Sequence, residues 1–247
     1  MRVAALLYGV ACYAAFVASF VAAVGFLTGV GPLPNIDRAA SISVVPALFV
    51  DLALLLLFGL QHSVMARQRF KRLWARLVPQ AIERSTYTLL SSLALIAMVH
   101  WWQPIEPLLW DVQVGWARAA VFALLGSGLV LTLVGTTLTD HLDLFGLRQV
   151  LLFWRGRPYA PPPFVPGSLY RLCRHPMMLG ILVAFWAAPR MMVGHALFSG
   201  GMTVYIAVGI ALEERDLRRQ FGDAYAEYVR AVPMLLPVRR RRTRRER

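Results

Sequence analysis

Residues 44–65, VVPALFVDLALLLLFGLQHSVM, decide the fold of this chain. The stretch is apolar almost throughout, and Asp51 is its one charged residue. A helix needs about 20 mainly apolar residues to cross the hydrocarbon core of a bilayer. The sequence therefore predicts a transmembrane helix over Val44–Met65 and a protein that folds in lipid.

The rest of the chain follows the same pattern. Of its 247 residues, 58% are hydrophobic and 16% are charged, whereas a soluble domain has about 25% charged residues. Six spans are predicted: Val3–Leu27, Val44–Met65, Tyr87–Trp102, Ala117–Leu138, Met177–Met192 and Ala196–Leu212. The first is longer than the apolar core of a signal peptide, which favours a retained span. The last two are short and closely joined, so five or six spans are both compatible with the sequence.

The predicted fold class is an all-α, polytopic integral membrane helical bundle of five to six transmembrane helices. The chain is read as one membrane domain, 1–238, with four N-terminal spans in 3–138. A proline-rich linker, 139–174, favours extended backbone and precedes a cofactor-binding hairpin and C-terminal helix, 175–237. The residues 239–247 are predicted to form a disordered basic tail.

Basic residues predict the orientation of the bundle. Arginines and the single lysine concentrate between the second and third spans, in the linker and in the C-terminal tail, and the other connections contain few. By the positive-inside rule both termini and the active site are expected in the cytoplasm, at a bacterial inner membrane, which favours six spans. The net charge of +13 is assigned to contact with anionic lipid, worth about 1 kcal/mol per residue, and no nucleic-acid partner is expected.

The segment Arg174-His175-Pro176 is predicted to begin a helix. Proline suits the first helical position, where its missing amide proton is not needed. The exposed amides at such a helix end attract anions, and Arg174 can hold a carboxylate in a bidentate pair. Downstream, Glu213 and Glu214 place two carboxylates at a membrane boundary, where acidic side chains are costly and usually functional. Simple solvation of two helix ends is the plainer alternative for both motifs.

The C-terminal helix is expected to leave the membrane after Leu212 as an amphipathic helix. Its apolar side chains recur at helical spacing. They are Leu217, Phe221, Tyr225, Tyr228 and Val232. This face either packs on the bundle or contacts a cofactor, for which aromatic rings offer stacking and cation–π attraction.

These motifs, taken together, resemble the isoprenylcysteine carboxyl methyltransferase superfamily of membrane methyltransferases. The block comprises Tyr170-Arg171-Leu172-Cys173-Arg174-His175-Pro176, Glu213-Glu214, Phe221-Gly222, Tyr225, Tyr228 and Val232-Pro233-Met234-Leu235-Leu236-Pro237. The resemblance implies that this block binds S-adenosylmethionine (SAM). The residues implied for that site are Tyr170, Arg174, His175, Pro176, Gly180, Glu213, Glu214, Phe221, Tyr225 and Tyr228. The family's tyrosine two positions after the proline is Met178 here.

Further motifs resemble the methanethiol S-methyltransferases, a branch close to the NnrU-like membrane proteins. They are Gln61-His62-Ser63-x-Met65-Ala66-Arg67, Ile82-Glu83-Arg84-Ser85-Thr86-Tyr87, Thr139-Asp140-His141-Leu142-Asp143-Leu144-Phe145-Gly146-Leu147-Arg148-Gln149 and Gly156-Arg157-Pro158-Tyr159. The resemblance covers nearly the whole chain after the first span. It implies transfer of a methyl group from SAM to methanethiol, giving dimethyl sulfide and S-adenosylhomocysteine.

Thiol methylation needs a thiolate, and therefore a base or a positive field. His141 is the first candidate for the base, and Asp140 or Asp143 could orient its ring. Arg148 could lower the pKa of the thiol by its field. His62, at the same end of the second span, is the rival base.

Two alternatives to this function remain. One is a SAM-dependent methyltransferase acting on a prenylated cysteine or a lipid amine. The other is a non-enzymatic NnrU-like protein of membrane transport or assembly, which would not bind SAM. No metal site is predicted, because the five histidines are scattered without paired ligand spacing. The expected partners are a small volatile thiol and membrane lipid, and the sequence does not define an oligomeric state.

Overall fold

The fold was obtained as a computed structural model that describes residues 1–161 and 167–236. Pro162, Pro163 and Pro166 of the predicted linker lie outside the described residues, as do Pro237 and the basic tail 239–247. The predicted disorder of that tail therefore stays a prediction.

The described chain is mainly helical, as the sequence predicts. Its helices are α1 (Arg2–Thr28), α2 (Val44–Met65), α3 (Gln68–Trp74), α4 (Gln80–Trp101), α5 (Gly115–Leu138), α6 (His141–Leu144), α7 (Leu147–Trp154), α8 (Pro176–Trp186) and α9 (Val193–Ala231), with a 3₁₀ turn at Ser168–Arg171. Two short strands, β1 (Leu108–Asp111) and β2 (Arg190–Met192), pair antiparallel. Within the described residues, α1, α2, α5 and α9 are long and apolar enough to cross a membrane. The protein is an all-α polytopic membrane protein.

The last two predicted spans differ in detail from the observed helices. The predicted span Met177–Met192 is helical only to Trp186, and its remaining residues form an extended connection that ends in β2. Pro189 disfavours helix in the residue before it, which agrees with a helix that stops here. The final helix begins at Val193 and continues past Leu212, where the predicted span ends, to Ala231, as expected for the amphipathic C-terminal helix.

Contacts between distant segments define two ends of the bundle. At the hairpin end, β1 pairs with β2 and Asp37 contacts His195 at 2.8 Å. At the opposite end, here called the linker end, Arg67 contacts Asp216 at 3.0 Å. Six segments of the described chain run alternately between these two ends. They are α1, α2, α4, α5, α8 with its extended connection, and α9.

The fourth and fifth passes are packed closely through glycines. A Cβ atom at Gly180 would lie 2.5 Å from the carbonyl oxygen of Gly128, and one at Gly128 would lie 2.6 Å from that of Gly180. Small residues of this kind let two membrane helices approach each other at backbone distance. Gly180 thus has a packing role in the α5–α8 contact, independent of any cofactor.

Aromatic side chains fill the bundle towards the hairpin end. Trp102 is 1% exposed and meets the rings of Phe26 and Phe198 edge-on, with centroids 6.3 and 5.4 Å away. This cluster forms the floor of the cavity described below, because Phe26 and Phe198 also line that cavity.

Candidate active site

An ion network joins the start of α8 to α9 at the linker end. Arg174 Nε donates to Glu214 Oε1 at 2.7 Å, and His175 Nε2 lies 3.2 Å from the same oxygen. Arg218 Nη2 donates to Glu214 Oε2 at 2.9 Å. Glu214 is 5% exposed, and its burial is tolerable because three basic side chains surround it.

The same residues hold the C-terminal segment against α8. The backbone amides of Arg174 and His175 donate to the carbonyls of Pro233 and Met234, at 2.9 and 3.1 Å. Arg174 Nη1 donates to the Val232 carbonyl at 2.6 Å. Four of the residues implied for SAM binding, Arg174, His175, Glu213 and Glu214, are therefore brought together in space.

Glu213 differs from Glu214 in its surroundings. Its side chain is 51% exposed, and its Oε2 lies 3.8 Å from His175 Nδ1. Burial raises the pKa of Tyr170, and the charge of Glu213 raises it further, to about 12. Glu213 is thus a half-exposed carboxylate at the edge of the buried network, in contact with His175.

The aromatic residues of α9 lie beyond a sharp change in backbone direction. Gly222 has φ 53° and ψ −126°, a conformation open to glycine. Tyr225 is 1% exposed, and its ring centroid lies 5.8 Å from that of Tyr228. Tyr228 donates its hydroxyl to the Tyr170 carbonyl at 2.6 Å. The aromatic face thus packs on the 3₁₀ turn before α8, and Phe221 lies on the turn of α9 just before the bend.

A cavity of about 320 Å³ lies inside the bundle next to this network. Met177 and Met178, which follow the buried Pro176 at the first positions of α8, line the cavity. Most of the wall is apolar and comes from α1, α2, α4, α5, α8 and α9. The polar side chains on it include Arg84, Ser91 and Thr136, and both predicted candidate bases, His62 and His141, reach it.

His141 is held by two hydroxyl groups. Its Nδ1 lies 2.9 Å from Thr136 Oγ1, and its Nε2 lies 2.8 Å from the Tyr13 hydroxyl. Thr136 donates its own hydrogen to the Leu133 carbonyl, so it accepts from Nδ1–H, and Nε2 accepts from Tyr13. Burial lowers the pKa of His141, which favours a neutral ring with its lone pair on Nε2.

Asp140 and Asp143 do not orient His141, contrary to the sequence-based expectation. Asp140 Oδ2 accepts from Arg148 at 2.7 Å, and Asp143 accepts from Gln149 and from Tyr159, at 3.3 and 3.2 Å. Arg148 is engaged by these carboxylates and is absent from the residues that line the apolar cavity. Asp143 instead borders a polar cleft of about 600 Å³ on the outside of the linker end.

His62 lies on the opposite wall and contacts α4. Its Nδ1 is 3.1 Å from Ser91 Oγ. Its ring stacks on Phe58 with centroids 5.3 Å apart and lies 5.0 Å from that of Tyr87. Among the described residues, no side chain or carbonyl hydrogen-bonds Nε2 of His62.

Four residues of the site escaped prediction from the sequence. Tyr13, Ser91 and Thr136 contact the two histidines from other helices, and no motif marks them. Arg84 borders both the apolar cavity and the polar cleft. Arg84 belongs to the motif Ile82-Glu83-Arg84-Ser85-Thr86-Tyr87, and this motif was the one feature of the sequence that could have indicated a role for it.

Comparison with known proteins places the chain in a family. The model of the family described as NnrU protein matches residues 51–238. The chain belongs to the NnrU family. Among curated relatives, methanethiol S-methyltransferase from Mycobacterium tuberculosis is 47% identical over 98% of this chain and 99% of its own length. The enzyme of the same name from Crocosphaera subtropica is 44% identical over 96% of this chain and 92% of its own length.

More distant members of the comparison include Nurim from Homo sapiens, 30% identical over 71% of this chain and 70% of its own length. No solved structure matches the chain. The resemblance drawn from the sequence motifs is confirmed by the bacterial relatives, which align with this NnrU-family chain over nearly its whole length.

Proposed function

We propose that this NnrU-family protein is a SAM-dependent thiol S-methyltransferase that converts methanethiol to dimethyl sulfide and releases S-adenosylhomocysteine. The similarity to methanethiol S-methyltransferases over nearly the full length carries the proposal. The cavity supports it, because about 320 Å³ of mainly apolar space suits a small apolar acceptor beside the reactive end of a cofactor.

The donor set at the linker end fits SAM. Glu214 is saturated by Arg174, His175 and Arg218, so Glu213 is the carboxylate left to meet the ammonium or ribose hydroxyls of the cofactor. When bound, SAM supplies an electrophilic methyl group on a cationic sulfur. His175 precedes the α8 residues that line the cavity, so the network and the cavity share one helix end.

His141 is the proposed base. Its neutral ring and the lone pair on Nε2 suit it to take the proton of the thiol. The Tyr13 hydroxyl is hydrogen-bonded to that nitrogen at 2.8 Å. Base catalysis therefore requires this phenol either to move aside or to relay the proton from the thiol to His141. The sulfur then forms its bond to the methyl group as the methyl–sulfonium bond breaks, and a dry cavity excludes water as a competing nucleophile.

A headspace assay tests the proposal. The purified protein in detergent, incubated with SAM and methanethiol, is expected to release dimethyl sulfide and S-adenosylhomocysteine in equal amounts. Glu213→Gln serves as the variant with a weakened cofactor site. Methylation of a farnesylated cysteine in place of methanethiol would instead support a methyltransferase that acts on prenylated cysteine. Failure to bind SAM would exclude every SAM-dependent methyltransferase function.

A further inference from the structure

We propose that the polar end of the cavity, formed by Arg84 and His62, is a binding subsite for the sulfur of the substrate in its anionic, thiolate form. The inference rests on the proposed function and deepens it. It assigns His62 a role as an N–H donor to the thiolate, distinct from the base role considered for it above.

Arg84 provides the positive charge of this subsite. It lines the cavity, its Nε donates to the Leu144 carbonyl at 2.8 Å, and its guanidinium carbon lies 5.1 Å from the centroid of the Tyr87 ring. The neighbouring carboxylate of Glu83 pairs with Lys71. In the described part of the chain no carboxylate forms an ion pair with Arg84. A guanidinium on an apolar wall without a counter-ion favours an anion in the cavity.

Ser91 determines which nitrogen of His62 carries the proton. On this part of α4 the hydroxyls of Thr86, Thr88 and Ser92 donate to the carbonyl four residues earlier, whereas that of Ser85 donates to the Gly146 carbonyl. Ser91 has no such bond; its hydroxyl contacts His62 Nδ1 at 3.1 Å and Gln61 Nε2 at 3.4 Å, and it also hydrogen-bonds the side chain of Tyr87.

Gln61 sets the direction of this chain of hydrogen bonds. Its Nε2 also lies 3.2 Å from Met65 Sδ, and a thioether sulfur only accepts. The amide nitrogen of Gln61 thus donates towards Met65 and Ser91, and in the proposed arrangement Ser91 in turn donates to His62 Nδ1. A neutral imidazole that accepts at Nδ1 carries its proton on Nε2.

His62 and Arg84 both contact Tyr87: the centroids of the His62 and Tyr87 rings are 5.0 Å apart, and the Arg84 guanidinium carbon lies 5.1 Å from the Tyr87 centroid. A donor and a cation on one wall stabilise a thiolate over a thiol. The thiol proton leaves to the base, the sulfur stays here as the anion, and its lone pair forms the new carbon–sulfur bond as the sulfonium releases the methyl group. Ser91 and Gln61 are positioning residues that act through His62.

Nuclear magnetic resonance of protein labelled with ¹⁵N-histidine tests this arrangement without relying on catalysis. Long-range ¹H–¹⁵N spectra in detergent distinguish the two tautomers, and the spectrum of His62→Gln assigns the signal. We expect the Nε2–H form in the wild type and in the control Ser92→Ala. Ser91→Ala should give a mixture of both tautomers, and Ser91→Thr, which keeps the hydroxyl, should again give the Nε2–H form. An Nδ1–H form in the wild type would overturn the proposal.

Titration with thiocyanate, a soft monovalent anion, tests the charge of the subsite. The His62 signal is expected to shift in the wild type and in Arg76→Met, a control at an exposed arginine, and to stay unchanged in Arg84→Met. No shift in the wild type overturns the anionic subsite. A shift in a protein that forms no dimethyl sulfide would refute the proposed function and leave the subsite standing.

Steady-state kinetics of variants at position 62 test the donor role of His62 in the active enzyme. Glutamine places an N–H near the position of Nε2 but cannot act as a base at neutral pH. His62→Gln should keep kcat/KM within about tenfold of the wild type, whereas His62→Leu should lose about a hundredfold, within the range of lost charge-stabilising donors. Equal loss in both variants would contradict the donor role.

Discussion

At the scale of single residues, two adjacent carboxylates have opposite surroundings. Glu214 is buried and bonded to Arg174, His175 and Arg218, whereas Glu213 is half exposed. Glu214→Gln should destabilise the protein by about 3–5 kcal/mol, because buried cations lose their counter-ion. Glu213→Gln should leave the melting temperature nearly unchanged and weaken SAM binding by about tenfold, close to 1.4 kcal/mol. Thermal unfolding and calorimetric titration with SAM check both, and a reversed pattern would exchange their roles.

The base is tested at the residue scale by His141→Ala. Loss of a general base typically costs 10²–10⁴-fold in turnover, and SAM should still bind. Activity should recover in part at alkaline pH, where more thiol ionises unaided. Burial lowers the pKa of His141, so in the wild type the ring stays neutral below the usual value of about 6.5 and activity should fall only at more acidic pH. His100→Ala, at an exposed histidine, is the control. Normal turnover in His141→Ala would rule out this base.

Sequence motifs predicted His62, His141, Arg174 and the glutamates, since each stands in a run of residues with distinctive order. They could not predict the side chains that give the histidines their tautomers. Tyr13 meets His141 across 128 positions of sequence, and such a contact depends on helix packing. For the same reason the expected partnership of Asp140 or Asp143 with His141 was wrong: sequence proximity favoured it, but Arg148, Gln149 and Tyr159 bind those carboxylates.

At the scale of elements, apolar runs predicted the membrane helices well, and the end of the fifth span poorly. Hydropathy treats residues 177–192 as one span, but helix α8 stops at Trp186 and residues 190–192 pair with a strand from residues 108–111. That pairing joins segments far apart in sequence, and no local pattern encodes it. The helix α9 continues past Leu212 to Ala231, as the helical spacing of Leu217, Phe221, Tyr225 and Tyr228 predicts, and its backbone bends at Gly222.

The contact between α5 and α8 gives a prediction at this scale. Gly180→Ala places a methyl group 2.5 Å from the Gly128 carbonyl oxygen, and the two helices must separate. We expect a loss of about 1–3 kcal/mol from overpacking, measured as a lower melting temperature without SAM. Gly126→Ala, on α5 with open space around its Cβ, should be neutral or slightly stabilising. Unchanged stability in Gly180→Ala, with weaker SAM binding, would instead assign this glycine to the cofactor alone.

At the scale of the whole molecule, six passes bring the start of α1 and the segment after α9 to one end. The same end contains nearly all basic residues that the structure describes, and the hairpin end has three: Arg38, Arg118 and Arg190. The ion network around Glu214 lies at this basic end, together with the polar cleft. The proposed cofactor, SAM, is a charged, water-soluble molecule, so the proposed site is expected to open to the compartment that supplies it.

The positive-inside rule then predicts that the linker end faces the cytoplasm. Alkaline phosphatase folds only outside the cytoplasm, so fusions after Leu236 should be inactive, and insertions at Asn35 or Gln103, near the hairpin end, should be active. Green fluorescent protein at the same positions should give the opposite pattern. Replacing Arg69, Arg72 and Arg76 with glutamine should weaken this preference, because these residues lie in the loop whose charge the rule counts. Active phosphatase after Leu236 would require an odd number of crossings or an inverted bundle, and it would place the cofactor site away from the cytoplasmic supply of SAM.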